Sequence, residues 1–176
     1  RKSLSGNLYS EFGARYNVDF TGNTNFRKTG IKLAGGRNFF SGWPAQDETR
    51  SQQWKPKEQY FGRLQLNRSF GKTNLSLKTD VFQEILQDKG IPIAPYNEKA
   101  FDQYFTTKRL DESLFVKHSI NQHNALDMIF AFNYYGRERV KYFRDLVNLS
   151  QIQTSQESDH DTSTFTNFVA RGTLSQ

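Results

Sequence analysis

Apolar and polar residues alternate with a period of two over much of this chain, most clearly in residues 7–21. One parity of this stretch is apolar apart from Ser10, and it comprises Leu8, Phe12, Ala14, Tyr16, Val18 and Phe20. The other parity holds charged side chains such as Glu11, Arg15 and Asp19. Because successive side chains of a β strand point to opposite faces, the pattern predicts one long strand with an apolar and a polar face.

Similar alternation predicts six further strands, which makes about seven in all. They are predicted at 25–37, 59–70, 73–86, 102–117, 125–138 and 163–176. Short turns are expected at 22–24, at Gly71-Lys72 and at 119–124, and a helical turn is expected near 146–152. Strands joined by such turns pair antiparallel. The predicted fold class is therefore all-β, an antiparallel up-and-down meander of long strands.

The connections between the predicted strands alternate between short turns and long loops. Long loops are expected at 38–58, 87–101 and 139–162, well beyond the usual length of a hairpin connection. Outer-membrane barrels show this asymmetry, with short turns at one rim and long loops at the other. A strand of about 13 residues is about 43 Å long and, if tilted by about 40°, rises about 33 Å, enough to cross the apolar band of such a barrel.

Composition narrows the class of protein without deciding it. Mean hydropathy is −0.78, and the longest apolar run is the five residues 128–132, far short of the roughly 20 that a membrane-spanning helix needs. The chain has no Cys, which excludes disulfides and thiolate chemistry, and its net charge of +6 is moderate. Low hydropathy is compatible with a membrane barrel because only alternate residues of each strand face lipid.

Seven strands are too few and odd in number for a closed single-chain barrel, and an open apolar sheet would expose two unpaired edges. The sequence therefore predicts a partial transmembrane β-barrel, whose remaining strands come from elsewhere in a longer parent chain. The start at Arg1 and the end inside a predicted strand agree with that expectation.

The second half of the chain resembles the barrel of TonB-dependent outer-membrane receptors. In the run 104–149, the segment TKRLDESL at 107–114 leads into a hairpin, and the return strand AFNYY at 131–135 is followed by the basic stretch 137–144. Residues 161–172 are similar to the next strand of that family. The first half of the chain agrees with the family in its strand pattern.

The resemblance implies that residues 1–176 are an internal segment of a 22-stranded barrel in the outer membrane of a Gram-negative bacterium. Members of the family carry an N-terminal plug domain, which is not expected within these residues. They import large or scarce nutrients such as ferric siderophores, cobalamin or glycans. The implied partners are outer-membrane lipid, an extracellular nutrient ligand, and the TonB complex through parts outside this chain.

Five residues in or beside the predicted long loops are candidate ligand contacts. Trp43 and Trp54 in the first loop and Tyr96 in the second offer aromatic faces for stacking on a ligand. Arg137 and Arg139 offer positive charge to an anionic ligand. Ordinary loop packing and a solvated strand extension are the competing explanations for the same residues.

Other function classes have little support in the sequence. No G-x-S-x-G, Walker or G-x-G-x-x-G motif occurs, so neither an enzymatic activity nor a cofactor is predicted. Glu157, Asp159 and Asp161 lack the glycine turn and distal Glu of a calcium loop, so no metal site is predicted. Acidic residues spread through the predicted sheet argue against nucleic-acid binding. A soluble all-β binding or adhesion domain remains the alternative, because a β-sandwich has the same alternation.

Overall fold

The structure is a computed structural model that describes residues 2–11, 15–43 and 50–175. Its strands are β1 Ser3–Glu11, β2 Arg15–Phe26, β3 Thr29–Phe40, β4 Lys57–Phe70, β5 Thr73–Lys89, β6 Lys99–Ser119, β7 Ala125–Asp145, β8 Gln151–Gln153 and β9 Asp161–Ser175. A single 3-10 turn, Glu157–Asp159, is the only helical element in these ranges. No helix in the described part of the chain combines the length and apolar character that a membrane span requires.

The nine strands form one antiparallel sheet, and from β1 to β8 each strand pairs with the next strand of the sequence. The order runs from β1 to β7, and β7 then pairs with both β8 and β9. This arrangement confirms the predicted all-β antiparallel meander. The sheet is not closed, since β1 and β9 each pair on one side only within the described ranges.

The predicted single strand at 7–21 is wrong, because this stretch is a hairpin. β1 ends at Glu11 and β2 begins at Arg15, and these two residues are cross-strand partners. Even-numbered residues pair with even-numbered ones across this hairpin, so the alternation of apolar and polar residues continues through the turn unchanged. The alternation alone therefore does not reveal that the chain turns between Glu11 and Arg15. Phe12 and Ala14 of the predicted strand lie outside the described residues.

Two other predicted elements are also wrong. The turn expected at 22–24 lies instead at Arg27-Lys28, where Arg27 takes a positive φ of 54°. The helical turn expected near 146–152 is replaced by β8, which pairs with the end of β7. This short strand and the β1–β2 hairpin raise the number of strands from the predicted seven to nine.

Other predicted boundaries are close to those observed. β4 and β5 include the predicted strands at 59–70 and 73–86, and they turn at Gly71-Lys72 as expected. β6 and β7 have 21 residues each and extend beyond the predicted strands toward the long loops. The long connections in the structure are 41–56, 90–98 and 146–160, because the strands on both sides of each extend further than predicted.

The register sorts the side chains onto two different faces of the sheet, because directly opposed residues point to the same side. On one face, the apolar face, the β4–β7 part carries Leu64, Leu66, Leu75, Leu77, Val81, Leu110, Leu114, Val116, Met128, Phe130 and Phe132. Nothing in the described chain forms a second layer over this face. Ala100 is the only buried apolar residue among the described residues.

The opposite face, the polar face, is crossed by hydrogen bonds between neighbouring strands. Arg63 and Lys78 both pair with Asp80, and Asn133 donates to Asp111 at 2.8 Å. Asp80 and Asp111 are directly opposed in the register. Like charges in that position repel each other, so the neighbouring cations stabilise this row.

The apolar residues form a band that runs across the register. One boundary of the band lies toward the long loops, and we call it the long-loop boundary. On β2 this boundary is at Tyr16, which lies in the same cross-strand row as Ile85 of β5. Phe168, at the same boundary in β9, is level with Thr79. The boundary therefore falls by six residues over the six pairings from β2 to β9, or one residue per strand.

The other boundary of the band does not descend in parallel. Phe70 of β4, Leu126 of β7 and Leu174 of β9 are all level with Thr73. The slope of one residue per strand therefore belongs to the boundary beside the long loops, which the strands cross at an angle.

Replacing Gly71 by Ala is expected to lower the free energy of unfolding by about 1–2 kcal/mol, because an L side chain is strained at a left-handed φ. Gly71 has φ +55° in the β4–β5 turn. Urea denaturation of the purified protein measures the change. Gly172→Ala is the matched control, since its φ is not in that region and an added Cβ meets nothing within 4 Å. Equal losses in both variants would contradict the prediction.

Candidate functional site

The three long connections lie together at one edge of the sheet. Because every strand is antiparallel to its neighbours, the loops that follow β3, β5 and β7 emerge on the same side. The paired ends of β5, β6 and β7 extend into this region and support the loops. This edge brings together the chemically varied side chains of the chain, and it is the candidate functional site.

A buried carboxylate joins two of these loops to the end of β7. The Asp102 side chain at the start of β6 is 1% exposed and accepts a hydrogen bond from Arg50 Nη2 at 2.7 Å. The backbone N–H of Gly90 donates to the same carboxylate at 3.3 Å, and Arg144 Nη1 lies 3.7 Å from it. A charge removed from water must be paired to be tolerated. Asp102 therefore holds the loops in a defined arrangement.

Two further contacts fasten the same edge. The Lys55 ammonium lies 2.5 Å from the Asp88 carboxylate and joins the first loop to the end of β5. The Leu146 N–H donates to the Glu98 carbonyl at 2.7 Å and joins the second loop to the third. All three long connections are consequently linked to one another.

The two predicted tryptophan contacts meet across the first loop. Trp43 and Trp54 form an antiparallel bridge with two reciprocal N–H···O bonds of 2.9 Å, and their exposed fractions are 54% and 63%. Bridge partners point to the same side, so the indoles share one surface. Gly42 precedes the bridge with φ +90°, and a Cβ there would lie 2.3 Å from Gln52 Oε1. Glycine is therefore required for this loop to close.

Trp54 also lines an open depression of about 280 Å³ above β1 to β4. The other lining residues are Glu11, Arg15, Asn17, Asn38, Phe39, Phe40, Lys57 and Gln59. Most of them belong to the polar face, and the Asn38 amide donates to Gln59 at 3.4 Å. An aromatic plane beside several amide and charged groups has the chemistry of a binding site for a polar ligand.

The two predicted arginine contacts lie on the polar face of β7. The Arg137 guanidinium stacks 4.9 Å from the ring centroid of Phe105, and Arg139 Nη2 donates to the Ser158 carbonyl at 2.7 Å. Arg139 thereby fastens the third loop. Arg137 forms no ion pair within the described ranges, so its charge is available to an anionic ligand.

The structure does not gather all five predicted contacts into one pocket. The tryptophans lie above β3 and β4, three pairings away from the arginines on β7, or about 14 Å at the usual strand spacing. Tyr96 belongs to a third element, the 90–98 loop, where it is 81% exposed. The sequence analysis does not identify Asp102 and Arg50 as part of the site. The available signal is that Asp102 shares the parity of the apolar residues of β6, where an acid needs a cationic partner.

Asp145 at the end of β7 and Asp159 in the third loop both have a lowered pKa. The pKa of Asp145 falls because the N–H groups of Asn148 and Val147 donate to its carboxylate, each at 2.9 Å. The pKa of Asp159 falls because the Lys141 ammonium donates to it at 2.8 Å. Both carboxylates therefore stabilise the loop in their ionised form. No three His, Asp or Glu side chains in the described ranges converge as metal ligands would.

Comparisons with known proteins assign neither a family nor a function to the chain. No protein-family model, curated protein or solved structure matches the chain.

Replacing Asp102 by Asn is expected to loosen the first two loops, because Arg50 and Arg144 lose their shared carboxylate. Amide hydrogen exchange within 41–56 and 90–98 should become at least about tenfold faster, as expected when a buried ion pair loses one partner. Asp111→Asn is the control, since it removes a carboxylate of the polar face that is paired with Arg109. Unchanged exchange in D102N, or equal acceleration in D111N, would contradict the proposed role of Asp102.

Acidification is expected to release the third loop from β7. A carboxylate with a lowered pKa in the folded state contributes stability above its unfolded pKa of about 3.9, and this is lost as pH falls through the folded value. NMR chemical shifts of the amides at 157–160 should therefore change with a midpoint below the ordinary Asp pKa. Asp159→Asn should show the released shifts at every pH. A midpoint at or above the ordinary value would refute the prediction.

Proposed function

We propose that this chain is part of the wall of a TonB-dependent outer-membrane receptor that imports a large or scarce nutrient. The observation that carries the proposal is the apolar band on the uncovered face of the sheet, with its sloping boundary beside the long loops. Soluble proteins rarely expose continuous apolar patches larger than a few hundred Å², and they cover such a face with a second layer. Lipid is the partner that would cover a band of this shape.

The slope of the long-loop boundary supports this placement. A shift of one residue per strand, with about 3.3 Å per residue and about 4.8 Å between strands, corresponds to a strand tilt of about 35° relative to the normal of the band. Transmembrane barrels have tilts of about 35–45°. On β7 the band extends from Leu126 to Tyr134, about 26 Å along the strand and about 22 Å in height at this tilt, close to the apolar height of such barrels.

In this proposal the polar face lines the interior and the three linked loops face the outside. The exposed indoles of Trp43 and Trp54 and the arginines on β7 supply separate contacts to a nutrient. Tyr96 projects from the neighbouring loop. By the family resemblance the ligand is a ferric siderophore, cobalamin or a glycan, and the energy-coupling parts lie outside this chain.

Glu112 is the residue that fits the band least well. It lies on the apolar face opposite Thr79 and Phe132, in a register that no bulge interrupts. A carboxylate facing lipid is costly unless it is protonated or meets a protein neighbour. The alternative function, a soluble binding or adhesion domain, would need a second layer over this face, and the described residues supply none.

Leu77→Lys is expected to impair folding into the membrane by about 2–4 kcal/mol, the cost of a lysine on the lipid face near mid-membrane. Ser76→Lys places the same residue one position along β5, on the polar face, and should have little effect. The readout is the fraction of the native protein that runs as a heat-modifiable band in the outer-membrane fraction of source cells.

A wild-type protein found in the soluble fraction would refute the membrane placement and leave the soluble binding domain as the remaining function. A soluble sandwich would also be damaged by L77K, so the cell fraction rather than the loss of folding distinguishes the two functions. Failure to import any nutrient by an outer-membrane protein would refute the receptor role alone.

A further inference from the structure

The edge of the sheet opposite the long loops carries a concentrated positive charge. It consists of the three short turns and the strand ends beside them, residues 24–31, 68–75 and 117–127. These residues include five Lys or Arg side chains and one acid, Asp127. The cations are Arg27, Lys28, Arg68, Lys72 and Lys117. With five cations and one acid, this short-turn edge carries a net charge of +4, two thirds of the +6 of the whole chain.

The five cations of this edge have no acidic partners, whereas several cations of the loop edge do. At the loop edge, Arg50, Lys55 and Lys141 are each paired with an aspartate. None of the five cations at the short-turn edge forms an ion pair within the described ranges. Unpaired cations that are clustered on one rim attract an anionic surface.

Two of the cations are held against aromatic rings at the border of the apolar band. The Arg68 guanidinium lies 4.3 Å from the ring centroid of Phe70, and that of Arg27 lies 5.5 Å from the ring of Phe26. Both rings are exposed, and both belong to the apolar face. Phe26, Thr29 and Arg68 occupy one row of the register, so the two pairs come from neighbouring hairpins.

We propose that these two aromatic–arginine pairs form a binding site for the phosphate groups of anionic phospholipids. The proposal rests on the membrane placement above. Exposed rings at the border of the band fit the boundary between hydrocarbon and headgroups. Guanidinium groups pair with phosphate oxygens in a bidentate geometry, and stacking on the rings fixes their position. The turn residues Lys28 and Lys72 add charge at headgroup level.

The test uses the native protein reconstituted into vesicles of phosphatidylcholine alone or of phosphatidylcholine with about 30% phosphatidylglycerol. Native mass spectrometry then counts the phosphatidylglycerol molecules retained by the released protein. The double variant Arg27→Gln/Arg68→Gln should retain this lipid about tenfold less, as expected for two basic residues lost near an anionic surface. The difference should shrink in high salt because the attraction is screened.

The matched control is Lys32→Gln/Arg171→Gln, which removes the same charge from the polar face. It should retain phosphatidylglycerol like the wild type. Arg27→Lys/Arg68→Lys keeps the charge but weakens the stacked, bidentate geometry, so an intermediate loss is expected.

Equal retention in all variants, or equal loss in the test and control variants, would overturn the lipid site while leaving the membrane placement intact. Purification of the native protein with an acidic protein on this edge, in place of phospholipid, would overturn it as well. A protein that enters neither kind of vesicle would overturn both this site and the proposed function.

Discussion

One continuous antiparallel hydrogen-bond ladder is the constraint on which the rest of this structure depends. It extends from β1 to β9 without a second sheet, so each side chain is assigned to a face by its register alone. A slip of one residue in β5 would place Lys78 and Asp80 among the leucines of the apolar face. The same ladder sends all long loops to one edge and the cations of the short turns to the other.

The sequence predicts the strands best where a turn interrupts the alternation. At Gly71-Lys72 an odd residue pairs with an even one, so the apolar parity changes and both strands can be recognised. Between Glu11 and Arg15 the parity does not change, and the hairpin was predicted as one strand. The alternation of side chains fixes the face on which a residue lies, but it carries no information about the direction of the chain.

The candidate site was only partly predictable, because its organisation depends on contacts between distant residues. The chemistry of the exposed tryptophans and of the arginines of β7 marks them as candidate contacts in the sequence, and the structure places them in separate groups. Asp102 and Arg50 are 52 positions apart, and only the folded sheet brings them together. Local pattern locates the loops along the chain, whereas the buried carboxylate determines how those loops are arranged.

The slope of the long-loop boundary of the apolar band also affects how the size of a closed barrel would be determined. One residue of shift per strand corresponds to a ratio of shear number to strand number near one. If that ratio is kept, the tilt stays constant and the radius grows with the number of strands. Hairpins added beyond the free edges of β1 and β9 would then widen the lumen without any change in the register of this wall. In a barrel built from this segment, lumen width and loop arrangement are thus structurally independent.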